Sequence, residues 1–195
     1  APGLINKIYI KSASAITSLS STFYNCISLL EISFPSNMTA LTDMNSTFNA
    51  CSNLQNITLP SVLSGSTTLA STFTACVSLS FIDLPSLPNC TTWSAAFAGC
   101  SALTSLEIKT LKASSTHTFT SAFQTCTNLG YIKWPNTVTS VTLALSSAFL
   151  TCSSLLTCNF PINANVSTFA STFQNCYNLV SVVLPTNISS CTSMA

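Results

Sequence analysis

The sequence contains no arginine, one histidine and four acidic residues in 195 positions. Without guanidinium forks, and with five scattered lysines and a net charge of +1, the chain lacks the basic footprint that phosphate backbones require, which excludes nucleic acid as a partner. Charged residues are 5% of the chain, against about 25% in soluble domains. Ser and Thr, about a third of all residues, fill the shortfall, so the surface is hydroxyl-rich and nearly neutral. Long apolar runs are missing too. The mean hydropathy of +0.51 suggests a membrane, but Ser, Thr or Asn interrupts every few residues and no stretch approaches the ~20 apolar residues of a span; no membrane span is expected. No Met opens the chain and no basic-then-apolar leader follows, so a signal peptide is either absent or already removed, by processing or because the chain is a fragment. A net charge below the ~2–8 that keeps small domains apart in solution predicts a protein that is assembled, glycosylated, or both.

What is present is a repeat. Phe-x-x-Cys-x-x-Leu recurs with Phe at 23, 48, 73, 97, 123, 149 and 173, at spacings of 25, 25, 24, 26, 26 and 24 residues. Cys follows each Phe by three and Leu by six, seven times in seven. Nine and eleven residues after Phe stand apolar pairs, from Ile32/Phe34 to Val182/Leu184, usually followed by Pro; Lys109 replaces that Pro in one copy. Four before each Phe comes another large apolar group (Leu19, Met44, Leu69, Trp93, Phe119, Leu145, Phe169), and Ile5, Ile8 and Ile10 open an incomplete eighth copy.

The apolar pair alternates like a short strand, and Pro, which cannot donate to a ladder, closes it. A coil of about 25 residues cannot bury its own apolar face, so coils must stack, with like positions ~4.8 Å apart. The sequence therefore predicts one domain over 1–195: a leucine-rich-repeat-like solenoid of about eight coils, with a parallel β-sheet on one face and short helical or 3-10 turns on the other, where Phe and the residue four before it share a helical face. Phe, Cys and Leu become interior ladders, each buried Phe worth roughly 1.5–3 kcal/mol. The pattern resembles the BspA-like leucine-rich repeats of bacterial and protist surface proteins, whose coils read Phe-x-x-Cys-x-x-Leu-x-x-Ile-x-Leu-Pro. That resemblance, from about Ile5 to the last residues, implies an extracellular or surface-attached protein associated with adhesion.

Ten cysteines suggest disulfides in a secreted protein, but all ten fall where the repeat wants a small hydrophobe: seven in the ladder, Cys158 in place of a strand Ile, Cys90 and Cys191 seven before a Phe position. Ladder neighbours ~5 Å apart lie within disulfide reach, yet seven identical sites cannot pair completely, so buried free thiols are expected. Zinc is disfavoured, because no Cys-x-x-Cys occurs and His117 stands alone. His117 reads as an exposed loop residue, with no acidic residue within nine positions to orient it; no catalytic site, metal or cofactor is expected. Asp83 and Glu107 occupy the same strand position in adjacent coils, near the carboxylate separation of retaining glycosidases, but on an open sheet.

Three sets of candidate residues remain. Lys7, Tyr9, Glu31, Phe81, Asp83, Glu107, Tyr131 and Lys133 project from the outward strand face, the most plausible binding surface, with Lys7 stacked on Glu31 and Glu107 on Lys133 as exposed pairs that set coil register or meet a ligand. Asn37, Asn45, Asn56, Asn89, Asn165 and Asn187 open Asn-x-Ser/Thr sequons where glycans could supply missing hydration. Neither end reads as a polar cap: Ile5 and Ile8 at one end and Val182, Leu184 and Met194 at the other suit head-to-tail stacking. The expectation is a non-enzymatic extracellular structural protein whose main partner is itself, assembled head to tail into a filament or surface array. The alternative is an adhesive module whose partners are glycans or host surface proteins.

Overall fold

The computed structural model describes residues 5–13, 15–136 and 138–193. Ten short strands are β1 (Lys7–Tyr9), β2 (Glu31–Ser33), β3 (Asn56–Thr58), β4 (Ser105–Glu107), β5 (Thr116–Thr118), β6 (Tyr131–Lys133), β7 (Thr142–Ala144), β8 (Thr157–Asn159), β9 (Asn165–Thr168) and β10 (Ser181–Val183). All pair in parallel, one coil apart. On the first face Ile8 lies against Ile32 and Ile32 against Ile57, while Leu106, Ile132, Cys158 and Val182 form the same column further on. The middle residue of each strand points inward and its neighbours outward, as period-two alternation demands: Ile132 is buried between exposed Tyr131 and Lys133.

This face carries seven strands where the repeat predicts eight coils, because Phe81–Asp83 forms no strand. The sheet is thereby divided into three strands, β1-β2-β3, and four, β4-β6-β8-β10. The residue after several strands donates to the next coil (Phe34 to Thr58, Ile108 to Lys133, Phe160 to Val183). Among the described residues Leu59, Leu84 and Trp134 make no such bond. The segment is followed by Pro85 and Pro88, which remove two donors and restrict Leu84 and Leu87.

The return side differs from the expected helical turn. No α or 3-10 helix occurs among the described residues. Instead β5, β7 and β9 form a second parallel sheet, prolonged toward the N-terminus by single bridges linking Ser18, Asp43, Thr68, Thr92 and Thr118. The tract through each Phe then runs as tight turns with two left-handed residues per coil, two before and two after Phe: Ser21 and Asn25 (φ 54° and 56°), Ser46 and Ala50 (53° and 62°), Ser71 and Ala75 (52° and 58°), and so on through Ser171 and Asn175. Only one of these positions, Gly99 (φ 76°), is glycine. The resulting backbone turns the N–H groups of Ser21, Phe23 and Asn25 toward the carbonyls of Asn45, Thr47 and Asn49 in the following coil, and each later coil repeats the arrangement. A helix would keep those bonds within the coil; here they join coils.

Side chains complete the ladders. The seven Phe rings stack in one column, successive centroids 5.2 to 5.8 Å apart. Every ladder thiol from the second coil on donates to the Phe carbonyl of the coil before it, as Cys76 does to Phe48 (3.2 Å) and Cys126 to Phe97 (3.0 Å). The same carbonyl accepts the Cys N–H of its own coil, so both lone pairs are used. Buried Thr47, Thr72 and Thr172 likewise hand their hydroxyls to the carbonyls of Leu19, Met44 and Leu145 one coil back.

Candidate binding face

The ten cysteines are free thiols; seven are buried, and Cys26, Cys176 and Cys191 are half-buried. Burial raises the Cys51 thiol to about 11 and Cys90 and Cys126 to about 12, which leaves them protonated and unreactive at neutral pH. Among the described residues no cluster of His, Cys, Asp and Glu is arranged to hold a metal. His117 departs from the sequence reading. It lies in β5, fully buried, in the position that Leu143 fills in the next coil. Its Nε2–H donates to the Lys112 carbonyl at 3.0 Å, its Nδ1 has no partner among the described residues, and burial lowers its pKa. It is a core residue, remote from the outward strand face.

That outward face divides its predicted residues into two groups. At the N-terminal end Lys7 Nζ meets Glu31 Oε2 at 3.0 Å, and the Tyr9 hydroxyl donates to Glu31 Oε1 at 3.0 Å. The bonds from Lys7 and then Tyr9 hold the Glu31 carboxyl below its usual range, and Glu31 in turn raises Lys7 and Tyr9. Further along, Phe81, Asp83, Glu107, Tyr131 and Lys133 line one hollow of about 290 Å³ together with Ser105 and the tops of Ile82 and Leu106. Lys133 pairs with Glu107 at 2.8 Å, as the stacking predicted, and that bond raises the Lys133 pKa. Asp83 pairs with Lys109 at 2.6 Å, the residue that stands in the Pro position of its copy, a contact the repeat spacing does not indicate. Phe81 is 66% and Tyr131 54% exposed, large apolar surfaces left in solvent on a chain with a well-formed core.

The sequon residues Asn37, Asn45, Asn56, Asn89 and Asn187 are exposed and Asn165, within β9, is half-buried. Asn37 and Asn187 each accept a backbone N–H two residues on, from Thr39 and Ser189. At the ends, Ile5 is 73% and Leu184 37% exposed, Ile8 and Val182 are half-buried, and Met194 lies outside the described residues. Phe169, Phe173, Val182 and Leu184 line an open hollow of about 590 Å³ at the C-terminal end. Among the described residues no helix is long and apolar enough to cross a membrane.

Parallel coils of this period, with an inward Leu/Ile column and an outward polar strand face, define a leucine-rich-repeat solenoid. The model of the BspA type leucine rich repeat region matches residues 17–141 and 94–195 in six copies, and the chain belongs to that family. Among solved structures it is similar to a leucine rich repeat protein of T. pallidum, with 21% identity over 93% of this chain and 72% of that one and a TM-score of 0.55. A leucine rich cell surface protein of Faecalibacterium prausnitzii is matched at 16% identity over 97% of this chain and 82% of that one, with a TM-score of 0.36. No curated protein matches the chain.

Proposed function

We propose that the chain is a non-enzymatic, cell-surface recognition module that binds its ligand on the outward strand face. The observation that carries this reading is the convergence of Phe81, Asp83, Glu107, Tyr131 and Lys133 around a single hollow, with both aromatic rings exposed. Membership of the BspA-type family supports the surface location. The charges argue against catalysis: each carboxylate of the hollow is already engaged by a lysine. The test is retention of the purified chain on gelatin-coated and mucin-coated surfaces. The double variant Phe81→Ser/Tyr131→Ser, folded by circular dichroism, should lose retention that the parent shows. Equal retention of parent and variant, or none by the parent on either surface, contradicts the reading.

Head-to-tail assembly is a second reading, favoured by the polarity of the ends. β1 and β10 are terminal strands of parallel sheets, and the N–H groups of Ser21, Phe23, Asn25 and their equivalents donate toward the C-terminal end, so stacking in one sense sets donors against carbonyls while the opposite sense sets like against like. Glycans at the candidate sequons Asn37, Asn45, Asn56, Asn89 and Asn165 would leave the C-terminal end clear and suit both readings, whereas one at Asn187 would sit in the last coil. Sedimentation and negative-stain microscopy over a range of concentrations decide this reading: fibres with a rise near eight coil steps, ~40 Å, support it, and isolated arcs at every concentration end it.

A further inference from the structure

The hollow on the strand face is built as a slot. Backbone bonds fix the alignment of its coils: Thr104 donates to Ser80 at 3.3 Å and Gly130 to Thr104 at 2.8 Å, and Ser105 lies opposite Tyr131 in the β4–β6 ladder. Phe81, Ser105 and Tyr131 are therefore consecutive rungs of one outward column, a small residue between two aromatic ones. Two coil steps separate the aromatic rungs, about 9.6 Å, room for one ring lying between two ring faces over a floor of Ser105. The adjacent column, Asp83, Glu107 and Lys133, forms the rim. Lys109 occupies Asp83 Oδ1 and Lys133 occupies Glu107 Oε1; the second oxygen of each carboxylate accepts no hydrogen bond among the described residues. The rim thus carries two negative and two positive charges and no net charge. A volume of about 290 Å³ sits at the lower limit of small-molecule pockets, the size for one ring rather than an extended ligand.

On the reading that this face is the recognition surface, we infer that the slot between Phe81 and Tyr131 takes a neutral pyranose ring of a glycan. The apolar C–H faces of the sugar lie against the two aromatic rings, and its hydroxyls donate to the open oxygens of Asp83 and Glu107. A planar cation would also suit aromatic faces, but here it meets two ammonium groups that already neutralise the carboxylates. An anion meets the carboxylates and the negative faces of the rings. A neutral polyol satisfies every group of the slot.

Calorimetry and saturation-transfer NMR with the methyl glycosides of glucose, galactose, mannose and N-acetylglucosamine, and with methylguanidinium as the cationic alternative, test the inference. At least one glycoside should bind the parent. Phe81→Ala and Tyr131→Ala should each weaken it about tenfold or more, and Ser105→Trp, which fills the floor while leaving both aromatic walls, should abolish it. Circular dichroism and thermal unfolding establish that each variant is folded; since all three side chains point to solvent, loss of binding with an unchanged melting temperature is the expected pattern. Failure of every glycoside to bind the parent, binding that survives Ser105→Trp, or preference for methylguanidinium overturns the pyranose assignment. If gelatin or mucin is still retained through Phe81 and Tyr131 in that case, the recognition face stands and only its ligand class falls.

Discussion

Phe97 sits between the rings of Phe73 and Phe123, at 5.2 and 5.8 Å, with no exposed surface. Its removal opens a cavity that stacked coils cannot collapse without breaking their ladders, so Phe97→Ala should cost about 3–5 kcal/mol, read by denaturant unfolding; a negligible change would remove the Phe column from the core. His117 gives the chain an acid sensitivity. Burial lowers its pKa, so below its ordinary value of about 6.5 the unfolded chain binds a proton that the folded chain resists, and stability declines as pH falls through that point. Lys112, the charged neighbour that supplies its carbonyl partner, adds to this through its own positive charge. Replacing it with the residue of the next coil, His117→Leu, should flatten the melting temperature between pH 7 and 5, whereas parallel declines in parent and variant would place the sensitivity elsewhere. Glu31 acts in a lower window: its carboxyl is held below the usual range, so its stabilisation is present above about pH 4.5 and is lost as pH falls further.

Each coil is closed by backbone conformations that L residues adopt reluctantly. Left-handed non-glycine residues cost of order 1 kcal/mol or more, and thirteen of the fourteen left-handed positions flanking Phe are not glycine. The inter-coil bonds of Ser21, Phe23, Asn25 and their equivalents hold them there. Ala75→Gly (φ 58°) should therefore stabilise the chain by roughly 0.5–1 kcal/mol, while Ala96→Gly, at a buried residue outside the left-handed set, should destabilise it; equal effects of the two would mean that the turns carry no strain. The strands were legible in the sequence because period-two alternation ending in Pro has one structural meaning. The return side was not. Ser-x-Phe-x-Asn and Ser-x-Phe-x-Ala carry the four-residue apolar spacing of a helix, and only glycine announces a positive φ from composition; Ser, Ala, Thr and Asn at those positions conceal it. The second sheet escaped notice for a related reason: its residues, such as Thr68 and Thr92, pair as single bridges without an apolar alternation to mark them.

At the scale of the whole molecule, stability comes from columns that run through every coil, and the proposed recognition surface is the one face that breaks the pattern. The ion pairs Lys7–Glu31 and Glu107–Lys133 followed from coil phase alone. The slot did not, because it depends on Ser105, an unremarkable serine whose importance is being small between two aromatic rungs, and on Lys109 neutralising Asp83 from a position the repeat gives to Pro. The expected exposure of His117 failed for the opposite reason: a polar residue in a Ser/Thr-rich tract occupies an interior position of a strand that sequence alternation did not reveal. The central claim is that recognition belongs to the strand face and the return face is structural. The seven buried thiols are shielded, and the half-buried Cys26, Cys176 and Cys191 are common to every chain, so the effect of a new surface cysteine is read against the parent treated with the same reagent. Ser105→Cys on the strand face and Thr120→Cys on the return face, each coupled to a maleimide-polyethylene glycol, should separate the two faces in retention on gelatin-coated and mucin-coated surfaces. Loss of retention for the modified Ser105→Cys chain with full retention for the modified Thr120→Cys chain is the predicted result; loss at Thr120→Cys alone, or equal behaviour of the two, contradicts the account.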